Sequence, residues 1–187
     1  MPPAVTAAIL TVLVLGVLAA MFVGWRHRAQ RTGLAVPELP AVPARDDAAL
    51  GEPRTESLAA IYVSTTTSGD WLDRIVAHDL GARSGAVVRV FDAGIRIERH
   101  GARDLFIPAD AVRGVGTAPG MAGKVVGGHG LVVVTWQAPG PGAVLLDTGL
   151  RLRRGVDRTP LTDAVGAFVP ADQNGADELG ASTKEST

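Results

Sequence analysis

The chain has no cysteine, a single tyrosine, and only two lysines (Lys124 and Lys184) among its 18 basic residues. Each shortage closes a class of function. Without cysteine there are no disulfides, no thiolate metal sites and no thiol nucleophile. Aromatic residues make up only 4% of the chain, too few for the stacking platforms that hold single-stranded nucleic acids. Eighteen basic side chains against 19 acidic ones leave a formal charge of −1. The basic excess of a nucleic-acid binder is missing, so no nucleic-acid partner is expected. Arginine supplies nearly all of the positive charge. With abundant Ala, Gly, Val and Pro, that preference reads as a GC-rich bacterial genome.

Apolar residues are 47% of the 187, and the surplus is concentrated at the front. From Ala4 to Trp25 the chain reads AVTAAILTVLVLGVLAAMFVGW, without a charge. As a helix rising about 1.5 Å per residue, this run is long enough for a hydrocarbon core of about 30 Å. Trp25 falls where an interfacial aromatic belongs, and Arg26, Arg28 and Arg31 follow it. A cleaved signal peptide would carry its positive charge before a shorter apolar core. The sequence therefore predicts an uncleaved transmembrane helix over 4–25. By the positive-inside rule, the N-terminus lies outside and the rest in the cytoplasm. Gly16, Ala20 and Gly24 stand four apart, a small-residue face that admits a partner helix closely. The same face permits a homodimer without requiring one.

Residues 26–55 hold Pro37, Pro40, Pro43 and Pro53 without a sustained period and read as an extended, solvated linker. Residues 169–187 are small, polar and acidic and read as a disordered tail. The block 56–168 remains for one compact domain. Within it Leu58–Ser64, Ala86–Asp92 and Ile95–Arg99 are strand-like runs, with a turn at Asp92-Ala-Gly94. Arg103–Ile107 reads as a further strand, and Pro108 opens a short helical piece, PADAVRGV. Leu131–Gln137 is apolar nearly throughout, and Ala143–Leu152 is its antiparallel partner. Two segments read as helices. In Ser68–Gly81, Leu72, Ile75, Val76 and Leu80 form a helical stripe, with Asp70 and Arg74 paired at i,i+4. Near the end, Thr159 caps, Pro160 opens, and Leu161, Val165 and Phe168 make the apolar face. The expected fold class is mainly β, a small sandwich or barrel closed by a C-terminal helix.

The segments Tyr62–Ile75 (YVSTTTSGDWLDRI), Ile107-Pro108, Gly120–Lys124 (GMAGK), Val133–Trp136 (VVTW) and Asp147–Arg151 (DTGLR) occur in this order. In this the chain resembles a family of actinobacterial single-pass membrane proteins, often labelled export or transporter proteins. These carry a pleckstrin-homology (PH)-like domain behind an N-terminal anchor. The resemblance implies two packed antiparallel sheets closed by a C-terminal helix, and it implies no activity.

No motif assembles a catalytic set. Gly120–Lys124 has Ala118 and Val125 where a phosphate loop needs Gly and Ser or Thr. The four histidines, at 27, 78, 100 and 129, never pair at metal-ligand spacing. Asp147-Thr148-Gly149 has no second copy to form an aspartic-protease dyad. Neither enzyme activity, metal nor cofactor is expected. The loop Ser64–Ser84 sets Arg74 and Arg83 against Asp70, Asp73 and Asp79, which is not a basic cup for a phosphoinositide.

The expected function is a membrane-tethered, cytoplasmic interaction module binding a protein or lipid partner at the inner face of the membrane. Two other readings stay open: an accessory subunit of a transporter or envelope complex, bound to a membrane-protein partner, and an enzyme whose site is too scattered to see. The candidate recognition segment is Thr65, Thr66, Thr67, Asp70, Trp71 and Arg74. There Trp71 either plugs the open end of the barrel or anchors a partner.

Overall fold

The structure, a computed structural model, describes residues 9–24, 36, 38–121, 124–125, 130–140 and 144–170. The apolar run is helical over 9–24 (α1), and every residue of that helix is exposed. Among the described residues no helix is long and apolar enough to cross a membrane. The remainder of the expected span, residues 4–8 and Trp25, lies outside the described residues, as do Arg26, Arg28, Arg31 and 171–187 of the tail.

The domain is one antiparallel sheet that curls until its two halves share a core. Its strands are β1 (Leu58–Thr67), β2 (Asp70–Arg74), β3 (Ser84–Phe91), β4 (Gly94–Arg99), β5 (Leu105–Pro108), β6 (Val112–Ala118), β9 (Leu131–Gln137) and β10 (Leu145–Leu152). Strands β7 (Gly120–Met121) and β8 (Lys124–Val125) pair antiparallel as a separate two-stranded sheet. The order is β5-β4-β3-β1-β10-β9-β6, with β2 added to β1. Strand β1 belongs to both halves: Leu58–Tyr62 pair with β3, while Ala60–Thr67 pair with β10 across a register shift at Tyr62/Ser64. A bulge there bends the strand.

The alternation seen in the sequence sorts side chains as the pleat requires. Val88, Val90, Ile95 and Ile97 enter the core, where they join Val132, Val134, Trp136, Leu146 and Leu150 from the other half. The turn after β3 depends on glycine: Gly94 has φ +149°, and a Cβ there would stand 2.2 Å from the Ile107 carbonyl oxygen. Helix α2 (Arg158–Gly166) buries Leu161 and Val165 against this core and packs on β6, β9 and β3. It begins one residue before the expected cap, so Thr159 and Pro160 lie within its first turn.

Three expectations are corrected. The segment 68–81 is not a helix. It turns at Gly69 (φ +83°), returns as β2, and ends in a 3₁₀ turn at Ala77–Asp79. Ile75 and Leu80 are buried as expected, but Leu72 is 75% exposed. The Ile75 N–H donates to the Thr65 carbonyl, and the Thr65 N–H donates to the Leu80 carbonyl, so pairing with β1 overrides the helical spacing. The PADAVRGV piece is helical for one turn only, Ala109–Ala111, and Val112 already begins β6.

The proline-rich stretch is the third. From Val36 to Ser57 its described residues lie against the sheet as a strap. Val36 and Leu50 are buried, and Leu50 packs on Phe91 and Phe106. The strap is held by Arg54 N–H to the Val90 carbonyl, Asp92 N–H to the Glu52 carbonyl, and the Arg54–Asp92 ion pair. Apart from one 3₁₀ turn at Ala48–Leu50 and a bridge from Pro53 to Phe91, the described residues of the strap form no helix or strand; scattered Val and Leu side chains found cover on a neighbouring sheet face.

Candidate interaction site

The end of the sandwich where β1 turns into β2 carries most of the residues singled out from the sequence. Thr67 pairs with Asp70 around the turn, but the next pair is Thr66 with Arg74. Trp71, Leu72 and Asp73 are therefore an outward bulge with no counterpart on β1. The Asp70 carboxylate shapes it, accepting from the Leu72 N–H at 3.0 Å and the Asp73 N–H at 3.2 Å. The Thr67 hydroxyl donates to Asp73 Oδ2 at 2.9 Å. Short polar side chains thus satisfy backbone donors that a helix would have used. Their product is an ordered apolar tip: Trp71 is 44% exposed, Leu72 75%, and Leu145 on adjacent β10 43%. The Ser68 N–H donates to the Leu145 carbonyl, which places Leu145 beside the turn.

The threonines divide between surface and interior. Thr65 and Thr66 are fully buried and Thr67 is half-buried, so the first two present no edge to a partner. Thr65 lies in a chain of hydroxyls through the core. The Trp136 indole N–H donates to Thr148 Oγ1 (2.9 Å), Thr148 and Thr65 share a 2.8 Å bond, Thr65 and Tyr62 a 2.5 Å bond, and the Tyr62 O–H donates to the Leu80 carbonyl (2.9 Å). An indole nitrogen can only donate and a carbonyl can only accept. The protons must therefore run one way, from Trp136 through Thr148, Thr65 and Tyr62 to Leu80, each hydroxyl accepting one bond and donating one. Burial pushes the Tyr62 phenol up to about 12, against the opposing pull of the Arg99 guanidinium, which stands 3.9 Å from the ring centroid.

Arg99 fastens the loop after β2. Its guanidinium donates to the carbonyls of Asp79 (2.9 Å), Ala82 (2.7 Å) and Arg103 (3.2 Å) and to the Ser84 hydroxyl (3.2 Å). His78 and Asp79 hold left-handed backbone angles, φ 54° and 60°, a conformation uncommon outside glycine. His78 Nε2 meets the Val36 carbonyl at 2.8 Å, joining this loop to the strap. The tip therefore projects from a rigid base.

The remaining candidates fall elsewhere. Arg74 is half-buried opposite Thr66. Gly16, Ala20 and Gly24 lie on exposed α1, where a Cβ at either glycine would meet nothing within 4 Å. Among the described residues no group of three or more His, Asp and Glu side chains could hold a metal ion. Sequence reasoning missed Leu72 and Leu145 as surface residues. Leu72 looked like part of a helical stripe, and Leu145 lies in a run in which nearly every other apolar residue is buried.

A sheet in this order, bent at its first strand and closed by a C-terminal helix, is a PH-like domain, a fold of protein and lipid interaction. Residues 36–166 match the family described as bacterial PH domain-like, and the chain belongs to it. That match begins at Val36, where the structure places the first buried residue of the strap. No curated protein matches the chain.

Proposed function

We propose that the chain is a single-pass membrane protein whose PH-like domain is a non-catalytic interaction module at the inner face of the membrane, docking its Trp71–Leu72 tip on a partner held there. The observation that carries this reading is the tip itself: large apolar side chains exposed together on a pre-ordered bulge. Apolar side chains exposed together and ordered by their own hydrogen bonds are what an interface requires. The uncharged run over 4–25, with Arg26, Arg28 and Arg31 behind it, supports an anchor with the domain inside. Because the strap already packs at Val36, only the chain between Gly24 and Val36 sets the reach, at most about 40 Å at 3.6 Å per residue.

The absence of cysteine makes the test direct. Leu72 and Val156 are 75% and 69% exposed. They lie beyond opposite ends of the β1–β10 ladder, which runs from Thr67/Leu146 to Ala60/Leu152. Single cysteines at these two positions are probed with a membrane-impermeant maleimide. In intact spheroplasts neither should label. In opened membranes Val156→Cys should label promptly and Leu72→Cys slowly. Labelling of intact spheroplasts overturns the topology, and equal rates in opened membranes overturn docking by the tip.

A further inference from the structure

A second feature lies away from the tip, between the strap and the outer face of β3 and β4. Val87, Arg89 and Phe91 alternate outward on β3, and Arg96 and Glu98 do so on β4. Arg45 and Ser57 close the space from the strap side, leaving a pocket of about 210 Å³. A single water needs about 10–15 Å³ by the same kind of measure, so the pocket admits a polyatomic ligand.

Its charge is out of balance. Three guanidinium groups line it with one carboxylate, an excess of two positive charges. Arg89 and Arg96 are direct cross-strand partners, a like-charge pairing that sheets avoid. Glu98 does not relieve both, because its two oxygens are already engaged, one by Arg96 Nε at 3.1 Å and the other by Arg45. Arg96 is only 8% exposed, and its buried Nη1 has no hydrogen-bond partner among the described residues. Buried guanidinium nitrogens are ordinarily satisfied, and leaving one without an acceptor is costly. Arg89 has its Nε on the Thr55 carbonyl at 3.3 Å and stacks on Phe91, 5.2 Å from the centroid. The Arg89 and Arg96 guanidinium groups are thus held before any ligand arrives, while Arg45 is largely exposed and reaches in from the strap. A structural ion-pair network would end with charges matched and donors used; this one ends with two charges and a buried donor in excess.

We propose that this pocket binds a phosphate group, with Arg89, Arg96 and Arg45 as its cationic ligands. A phosphate monoester carries between −1.5 and −2 charges near neutral pH and several strong acceptor oxygens, which fit the charge excess and the orphaned Nη1 together. Apolar Val87 and Phe91 beside the arginines would accommodate the group that carries the phosphate. That group belongs to a soluble phosphate compound or to a lipid headgroup, two sources with the same chemistry at this site.

The test uses the full chain in non-ionic detergent. Binding of inorganic phosphate is followed by calorimetry and by broadening of the phosphorus NMR line. Arg89→Gln and Arg96→Gln should each weaken binding about tenfold or more. Arg89 is only half-buried, so its variant keeps the test valid if Arg96→Gln fails to fold. Glu98→Gln should act in the opposite direction, tightening binding several-fold by raising the charge excess, an outcome that a purely structural network does not produce. Short-chain phosphatidic acid in the same detergent distinguishes the sources. Displacement of phosphate at lower concentration than inorganic phosphate itself requires assigns the site to a lipid headgroup, and failure to displace assigns it to a soluble phosphate. No phosphate binding by the unaltered chain, or equal affinity in Arg89→Gln and Glu98→Gln, overturns the proposal.

Discussion

Trp136 and Trp71 occupy opposite environments in one small domain. Trp136 is fully buried on β9, and its indole N–H begins the hydroxyl chain that crosses the core. Trp71 is 44% exposed on a bulge whose order comes from Asp70 and Thr67 rather than from the indole. The residue type is the same, and its surroundings assign the role. Burial with a satisfied N–H makes tryptophan a structural element, while exposure on a pre-ordered tip makes it available to a partner.

The largest effect is expected at the buried member of the pair. Trp136→Ala removes a large core side chain and leaves Thr148 with an unmatched acceptor. It should cost about 3–5 kcal/mol in denaturant unfolding, close to the whole stability of a marginal domain. A loss below about 1 kcal/mol would mean that the core does not rest on this residue.

Tyr62 comes next, and being the only tyrosine it can be followed alone by tyrosinate absorbance. In the folded chain its titration should centre near 12, moving toward its ordinary value of 10.0 on unfolding. The raised value means that the folded state holds this proton more tightly. The stability concerned is complete below pH 10.0 and is lost as pH rises through about 12. Tyr62→Phe should remove that alkaline loss. It should also cost about 1–3 kcal/mol at neutral pH, because the buried Thr65 hydroxyl loses the acceptor for its proton and the Leu80 carbonyl keeps only the Thr65 N–H.

Smaller still is the contribution of Glu98, in neither tryptophan's environment. Burial by itself would raise its pKa, but hydrogen bonds from Arg45 and Arg96 outweigh that and hold the carboxyl below its ordinary 4.5. A lowered value contributes stability that is complete above 4.5 and disappears as pH falls through the lower folded value. Glu98→Gln should therefore flatten the acid limb of a stability-versus-pH curve measured by denaturant unfolding. An unchanged acid limb would separate Glu98 from both arginines.

Much of the sheet was legible because its code is short-range. Alternation in AVVRVFD and IRIER placed β3 and β4 and sent Val88 and Ile97 inward; Gly94 marked the turn between them. The recognition segment was legible in location and misread in form. Leu72, Ile75, Val76 and Leu80 have helical spacing, yet the choice between helix and hairpin lay in the two backbone bonds made by Thr65, which no local pattern records. The strap was misread for a related reason. Four prolines argued for extended, solvated chain, but the cover for Val36 and Leu50 comes from strands tens of residues later in the chain. The arginine pocket carried a faint signal, Arg89 and Arg96 at outward positions of adjacent strands, which gains meaning only when the register places them opposite each other.

The most direct measurement is made on Trp71→Ala in the full chain, comparing thermal melting with recovery of a membrane-bound partner in mild detergent. A partly exposed side chain away from the core should cost less than about 1 kcal/mol. The melting curve should stay close to that of the unaltered chain, while partner recovery falls clearly. A sharp fall in melting temperature, or recovery that Trp71→Ala leaves unchanged, would contradict the claim that this tip is the docking surface of the domain.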